Sequence, residues 1–484
     1  MKISDLLKIF DFKDARGNLD LAVEGCSSDS RHVRPGDLFF CFSGEKADGH
    51  DYALQAIKKG AVGVVAQRVI PNLPEGTPFL LVDDVRSCVG PISSTICGHP
   101  SLKLRVLGVT GTSGKTTTTY FLERCLNFLG RKAEILGSLN PTPEFPFHTT
   151  PEAPALQRRL KEFLNSGGEY AVLEVSSHAI HFGRVNGVRF EGAVLTNIYR
   201  DHLDLHKTQK EYALTKLRWL KSLCGKCPVV VNVDFPSSEE CLEFLGEGVV
   251  TVSLDGKGEI NGTILQTGNW GSRIKVNFPG GSVTFRIALP GEVNASNSLS
   301  AFGLLFSLGF DPEKVAIGLS ILEEVKGRYK KIPSPWGASV VIDYAHTPIA
   351  LEKALNFARS MGKRVILVFG CVGSGDKEKR PIMGRIAARL ADLVFVTTDD
   401  PRDEDPRSTI EGIKEGLLQE GLKEGEGFFV VSDRAKAIQE AIGQSKEGDV
   451  ILIAGRGHEK YQRFGKNLIY LDDEEEARKA MNLR

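Results

Sequence analysis

The chain has 484 residues with 61 Lys+Arg against 61 Asp+Glu, so its formal net charge is zero. That balance excludes a generic basic coat for nucleic acid, and 41% hydrophobic with 25% charged residues excludes a disordered or polyacidic chain. Glycine is the outlier: its 51 residues are about 10.5% against an average near 7%, spread along the chain as turns where backbone meets something.

Taken from the start, residues 1–10 lack the apolar core and small-residue cleavage site of a signal peptide. No window reaches ~18 uninterrupted apolar residues, so no membrane span is expected. The cysteines (26, 41, 88, 97, 125, 224, 227, 241 and 371) are odd in number and sit in hydrophobic segments. That is the pattern of reduced thiols, and a cytoplasmic protein is expected. Cys224 and Cys227 have metal or redox spacing, but a zinc ribbon needs a second pair, so a structural role is expected.

At roughly 150 residues per domain, the length predicts about three domains. Residues 1 to about 100 hold short apolar runs at 37–42, 63–66 and 79–82 with a helical pattern at 52–59, a small α/β unit. A composition break follows at 98–103. A buried strand at 105–110, a glycine-rich turn and a helix over 115–129 come next, then buried strands at 171–176, 192–197 and 228–233. Alternating β and α with continuous apolar strands predicts a largely parallel sheet covered on both faces. Residues 250–290 read as a small antiparallel sheet, and a helix over 294–308 follows. A third α/β unit has strands at 340–343, 365–369, 393–397, 428–431 and 450–454, the pattern of a doubly wound fold.

The strongest local signal is Gly108-Val109-Thr110-Gly111-Thr112-Ser113-Gly114-Lys115-Thr116-Thr117 between strand and helix. Its glycines, taken as Gly108, Gly111 and Gly114, let backbone N–H groups curl around phosphate oxygens at a helix N-terminus. Lys115 supplies charge to the β/γ-phosphates and the Thr116 hydroxyl can ligate Mg²⁺. The strict pattern wants glycine at 109, where Val109 stands, so the loop is a variant. It predicts ATP binding. The fold expected is therefore α/β in three domains: a small α/β domain at 1–101, a central P-loop ATPase-type mostly parallel sheet at 102–326, and a Rossmann-like domain at 327–484.

A phosphate loop alone does not separate a kinase, a switch and a ligase. Glu174 closes one predicted strand, followed by Ser176, Ser177 and His178, and Asp201, His202 and Asp204 follow the next. Carboxylates and imidazole at adjacent strand ends can converge on a divalent metal held by phosphates. Taken singly, each is as readily a structural polar residue.

The chain resembles the Mur ligases of peptidoglycan synthesis. The resemblance rests on Gly111-Thr-x-Gly-Lys-Thr-Thr117, Leu173-Glu-Val-Ser-Ser-His178 and Thr196-Asn-x-x-x-Asp-His-Leu-Asp204. It extends through Tyr212-x-x-x-Lys216, Asn294-x-x-Asn297, Gly327-Arg328, Asp343-Tyr-Ala-His-Thr-Pro348 and Gly455-x-Gly-His-Glu459. Asp29-Ser30-Arg31, Gly36-Asp37-Leu-Phe39 and Ala47-Asp-Gly49 resemble the branch that adds the third peptide residue. The resemblance implies ATP-dependent ligation of a diamino acid to UDP-N-acetylmuramoyl-L-alanyl-D-glutamate through an acyl phosphate. ATP and small-molecule substrates are then the partners, with no nucleic acid or membrane, and a monomer is expected.

The resemblance also implies roles for individual residues. Thr116 and Glu174 would hold one Mg²⁺, and His202 and Lys216 a second, Lys216 as a carbamate, because an ammonium cannot ligate a cation. Read from its surroundings alone, Lys216 is an ordinary lysine of an amphipathic helix. Lys115, Glu174, His202 and Lys216 are the catalytic set. Gly111, Thr112, Ser113, Gly114, Lys115, Thr116 and Thr117, with Asn294, Arg328 and Asp343, would bind ATP. Ser28, Ser30, Thr149, Thr150, Ser176 and Arg184 would contact the UDP-sugar peptide. The sequence departs from the family pattern at His148, where asparagine usually stands, at Phe182, which replaces a polar residue, and at Lys330, where an acidic or amide residue is common.

For the incoming amino acid, Asp399-Asp400-Pro401-Arg402 resembles the Asp-Asn-Pro-Arg of diaminopimelate-adding members, whose arginine meets the distal carboxylate. Asp400 in place of asparagine also occurs in lysine-adding members, so L-lysine is the alternative to meso-diaminopimelate. Arg380 is expected as a second carboxylate anchor, with Gly455 and Glu459 completing the pocket and Glu459 accepting from the distal amine. A folylpolyglutamate-type ligase would share the loop but lack the N-terminal unit. A P-loop phosphotransferase would leave a stable phosphorylated product, and a nucleotide-gated binding protein leaves the strand-end carboxylates and histidine without a role.

Overall fold

The computed structural model describes residues 1–44, 47–142 and 144–483. The first sheet holds β1 (Asp14–Arg16), β2 (Gly25–Ser27), β3 (Asp37–Phe40), β4 (Gly63–Ala66) and β5 (Phe79–Leu81) in the order β1-β5-β4-β3-β2. All neighbours are parallel except β1, which pairs antiparallel with β5. Alternate residues face opposite sides: Leu38 and Phe40 pack with Val85, Val89 and Ile92 of the helix Val85–Ile96, and Phe39 with Ala53 and Ala56 of the helix Ala53–Lys58. Burial on both faces explains the continuous apolar runs.

The central sheet has nine strands: β6 (Arg105–Thr110), β7 (Ala133–Leu136), β8 (Tyr170–Glu174), β9 (Phe190–Leu195), β10 (Val229–Asn232), β11 (Val249–Ser253), β12 (Ile260–Gly268), β13 (Gly271–Phe278) and β14 (Gly281–Ile287). Their order is β14-β13-β12-β11-β10-β9-β6-β8-β7, parallel from β7 through β12 and antiparallel over β12–β14. The antiparallel strands expected at 250–290 therefore extend the parallel sheet and are not a sheet of their own. Val252 and Ile260 are buried in the same core as Leu107 and Val194, which ties the two parts together. The strand order reverses beside β6, so the carboxyl ends of β6, β8 and β9 open one crevice. Gly108 lies within β6, where an added Cβ would meet Trp219 at 2.8 Å and Phe190 at 2.9 Å. It is a packing glycine, which corrects its placement at the phosphates.

The third sheet holds β15 (Lys330–Pro333), β16 (Ser339–Asp343), β17 (Arg364–Phe369), β18 (Leu393–Val396), β19 (Phe428–Val430) and β20 (Asp449–Ala454) in the order β15-β16-β20-β17-β18-β19. It is parallel apart from the edge strand β15. A hairpin of β21 (Tyr461–Phe464) and β22 (Asn467–Tyr470) follows. Among the described residues no helix is long and apolar enough to cross a membrane. The Cys224 and Cys227 thiols are free and donate to the Leu220 and Leu223 carbonyls.

Candidate active site

The phosphate loop hangs from the end of β6 and is held by the end of β9. Ser113 N donates to Asn197 Oδ1 at 3.0 Å, Thr112 N to Asn197 O at 3.0 Å, and Thr196 Oγ1 to Ser113 O at 2.6 Å. Gly111 has φ +146° with Thr196 Oγ1 1.9 Å from an added Cβ, and Gly114 has φ +89° with Asn297 Oδ1 at 2.3 Å. No other residue fits either position without displacement. The helix Lys115–Phe128 begins at once, and its first-turn N–H groups form an anion cradle. Lys115 folds over the loop, donating to Gly111 O at 2.8 Å and Thr112 O at 2.9 Å, and burial depresses its pKa.

The structure brings Thr116 and Glu174 into contact. Thr116 Oγ1 donates to Glu174 Oε2 at 3.0 Å, and Ser138 N donates to Oε1 at 2.9 Å. Glu174 is 1% exposed, and burial raises its pKa against the pull of Lys115. A hydroxyl and a buried carboxylate are hard oxygen donors, the set that suits Mg²⁺.

On the other side of the loop the helix Gln209–Lys221 carries Tyr212 and Lys216 one turn apart on one face. Lys216 is 1% exposed; its Nζ donates to Gly111 O at 3.1 Å, the carbonyl that Lys115 also meets, and lies 4.8 Å from the Tyr212 ring centre. Burial first, and Lys115 second, push its pKa well below the lysine value. The surface lysine read from the helix alone is thus corrected to a buried amine held toward its neutral form. His202 has φ +54°, Nε2 at 3.4 Å from Asp201 Oδ2, and its ring 4.7 Å from that of His178. Burial holds its imidazole toward neutral although Asp201 opposes this.

A cleft of about 820 Å³ opens beside the loop, lined by Tyr199, Gly291, Glu292, Tyr329, Asn356 and Phe357. Asn294, expected to contact ATP, lies behind this wall: it is buried, and its Nδ2 donates to Pro290 O at 2.7 Å. Asp343 is also behind it, buried and accepting from Tyr329 N at 2.9 Å. Both shape the cleft without lining it. Arg328 does reach the site, with Nη2 3.2 Å from Thr116 Oγ1 and its guanidinium 4.3 Å from the Tyr344 ring centre.

Thr150, Ser176 and Arg184 cluster behind Glu174. Thr150 Oγ1 donates to Glu174 O at 2.7 Å and accepts from Ser176 N at 3.1 Å, while Arg184 donates to Thr150 O at 3.1 Å and lies 2.8 Å from Glu152. Thr149 Oγ1 accepts from Ser138 Oγ at 3.2 Å. Ser28 and Ser30 stand apart, in the turn that follows β2. Ser30 donates to Gln55, and Ser28 Oγ is buried without a partner at a small gap facing Glu144 and Arg158. Phe182 replaces its expected polar contact with a face for the Arg86 guanidinium at 4.4 Å. His148 is held neutral, its pKa lowered to about 4 by burial and then Arg184.

In the third sheet's loops, Arg402 has φ +56°, and its side chain is 39% exposed. Asp399, Asp400 and Pro401 are buried beneath it. Both Asp399 oxygens lack hydrogen-bond partners, and one lies 2.4 Å from an added Cβ on Gly455. Asp399 and Pro401, expected at the amino-acid pocket, are thus buried under Arg402, with the Asp399 carboxylate left without a partner. Arg380 is corrected as well. Its guanidinium is engaged by Glu404 through two 2.8 Å bonds, which hold the Glu404 carboxyl well below the usual range. It braces the loop and presents no free fork. Glu459 Oε1 accepts from Tyr344 Oη at 3.1 Å, and burial, with Asp399, raises its pKa to about 7.

Sequence reasoning missed Arg463 and the hairpin that carries it. Arg463 N donates to Asp400 Oδ1 at 2.6 Å, its Nε and Nη2 reach Asp400 Oδ2 at 3.0 and 2.8 Å, and Arg402 N donates to Arg463 O at 2.7 Å. The hairpin buckles the 399–402 turn. No local pattern announces a partner 63 residues away.

Three family models match the chain in order: "Mur ligase family, catalytic domain" at residues 22–77, "Mur ligase middle domain" at 109–305 and "Mur ligase, glutamate ligase domain" at 327–457. The UDP-N-acetylmuramoyl-L-alanyl-D-glutamate–2,6-diaminopimelate ligase of Geobacillus thermodenitrificans is 37% identical over 97% of this chain and 96% of its own. A solved ligase of the same name is 28% identical with TM-score 0.67, covering 100% of this chain and 99% of that one. A folylpolyglutamate synthase of Thermotoga maritima, 15% identical with TM-score 0.55, shares the fold over only 75% of this chain. With ordered matches in all three sheets and a full-length relative at this identity, the chain belongs to the Mur ligase family.

Proposed function

We propose that the protein is a cytoplasmic ATP-dependent ligase that joins meso-diaminopimelate to UDP-N-acetylmuramoyl-L-alanyl-D-glutamate, releasing ADP and phosphate. One observation carries the reading: Glu174 touches the phosphate loop through Thr116 and the Thr150–Ser176 cluster through its own carbonyl, while Arg328 reaches Thr116 from the third unit. In this reading the nucleotide and acceptor sites meet at Glu174. The printed names of the relatives agree.

In this reading residues 1–101 and the Thr149, Thr150, Ser176 and Arg184 cluster bind the UDP-sugar peptide. Residues 102–326 carry out the chemistry and 327–484 present the amino acid. Lys115, Arg328 and the helix N-terminus neutralise the triphosphate while the dipeptide carboxylate attacks the γ-phosphorus. The β–γ bond breaks and ADP departs, leaving an acyl phosphate. The neutral amine then attacks the acyl carbon and gives up a proton, and phosphate leaves with one former carboxylate oxygen as the amide forms. Positioning and charge neutralisation supply most of the acceleration.

Thr116 and Glu174 would hold one Mg²⁺ and His202 and Lys216 a second. Bound there, the ions screen the phosphate charge. Lys216 suits carbamylation because a neutral amine is the form that adds to CO₂, and the carbamate turns a cation into an anionic oxygen donor. Arg402, half exposed, offers its fork to the distal carboxylate, and Glu459 accepts from the distal amine. The substrates are small molecules, and in this reading one chain carries all three sites. The test is phosphate release from ATP and the UDP-dipeptide with diaminopimelate, lysine or no amine. Release is expected with diaminopimelate, weakly with lysine and not without amine. Amine-independent release sinks the ligase reading.

A further inference from the structure

Asp400 places a carboxylate where it opposes the selection of a distal carboxylate. Its Oδ2 lies 3.4 Å from Arg402 Nε, so alone it would cancel the guanidinium that recognises the substrate. The structure gives it a stronger partner. Arg463 closes on Oδ2 with two bonds, at 3.0 and 2.8 Å, and on Oδ1 with its backbone N–H at 2.6 Å. Asp400 is 5% exposed at its side chain, so this pairing is weakly screened. Two arginines against one aspartate give these three residues together a charge of +1.

We infer that Arg463 is a specificity-determining residue: by neutralising Asp400 it leaves Arg402 free for the substrate's distal carboxylate, so the pocket keeps diaminopimelate over lysine despite Asp400. This rests on the diamino-acid reading above. Arg463 acts through Asp400 as a positioning residue. The hairpin also fixes the turn, since Arg402 N donates to Arg463 O and Gly465 N to Arg402 O. Those are backbone bonds, independent of the guanidinium. The guanidinium further lies 5.3 Å from the Phe147 ring centre of the central unit, which keeps it at the domain boundary where substrates meet.

Charge and structure are separable by mutation. Arg463→Gln removes the cation and keeps the backbone bonds. It should lower kcat/KM for diaminopimelate about 30-fold or more, the scale of losing one partner of a desolvated charge pair. The values for lysine and the KM for ATP should stay within about threefold. Adding Asp400→Asn to that variant removes the uncompensated anion and should return diaminopimelate turnover to within about threefold of the parent. Asp400→Asn alone should retain the preference, and this variant decides the matter should Arg463→Gln fold poorly. Equal losses for diaminopimelate, lysine and ATP, or no recovery in the double variant, would overturn the inference, as would lost preference in Asp400→Asn alone. A parent enzyme that does not turn over diaminopimelate overturns the functional reading itself, a result visible before any variant is made.

Discussion

Around the phosphate loop, Lys216 and Glu174 are buried and Lys115 half-buried, with hydroxyls, carbonyls and an N–H as their hydrogen-bond partners. In the third unit Arg380, Asp400 and Arg434 each meet an opposite charge directly, at Glu404, Arg463 and Asp473. The difference shows in the protonation tendencies. Burial moves the first set toward neutral forms, Glu174 upward and both lysines downward, while Glu404 is driven toward its ionised form by Arg380. The nucleotide site holds charges that ligands complete. In the third unit the Arg380–Glu404 and Arg463–Asp400 pairs are already balanced, and selectivity rests on a small remainder.

The largest expected effect breaks the first set. Glu174→Gln should lower kcat/KM by about 10²–10³-fold, the scale of removing one electrostatic group at a reacting centre. It should not lower the thermal midpoint. A carboxyl whose folded pKa is raised opposes folding when ionised near neutral pH, so a neutral amide relieves that cost. A variant that unfolds early would place Glu174 among the structural pairs. Lys216→Ala should be next, with activity down about 10²-fold. The parent should lose activity on removal of bicarbonate and CO₂ and regain it on addition, while the alanine variant does not respond. Equal response of both proteins would remove the carbamate.

The balanced region should fail the other way. Arg434 and Asp473 are both 0% exposed and joined at 2.8 Å, so Arg434→Leu leaves a buried unpaired carboxylate and should cost about 3–5 kcal/mol. Calorimetry should show an earlier transition, and the protein still folded should keep its KM for ATP. The smallest effect sharpens the comparison. Burial raises the Glu459 pKa to about 7, so the full negative charge that attracts an ammonium is present only above that pH. The KM for diaminopimelate should fall as pH rises through about 7, and Glu459→Gln should flatten the profile. An unchanged profile in the variant would assign that titration elsewhere.

The parallel strands were legible because both faces are buried: β6, β8, β9 and β16 to β20 read as continuous apolar runs. β22 was not, because all four of its residues are exposed and no alternation marks it. β15 was hidden by its lysines at a sheet edge. In the site, the phosphate loop was legible because its glycines and lysine are contiguous. Gly108 misled, since a glycine needed for packing against Trp219 looks the same in sequence as one needed for phosphate. Arg380 misled for a related reason: its spacing does not reveal that Glu404 holds it. Lys216 read as a surface residue because the loop that buries it lies about a hundred positions earlier.

The central claim is that the dipeptide carboxylate is activated by ATP at the Glu174 junction before the amine attacks. Oxygen-18 in that carboxylate reports it directly. With ATP, diaminopimelate and the labelled UDP-dipeptide, mass spectrometry of the released phosphate should find one labelled oxygen per turnover. Phosphate formed without label, alongside amide product, would contradict the account.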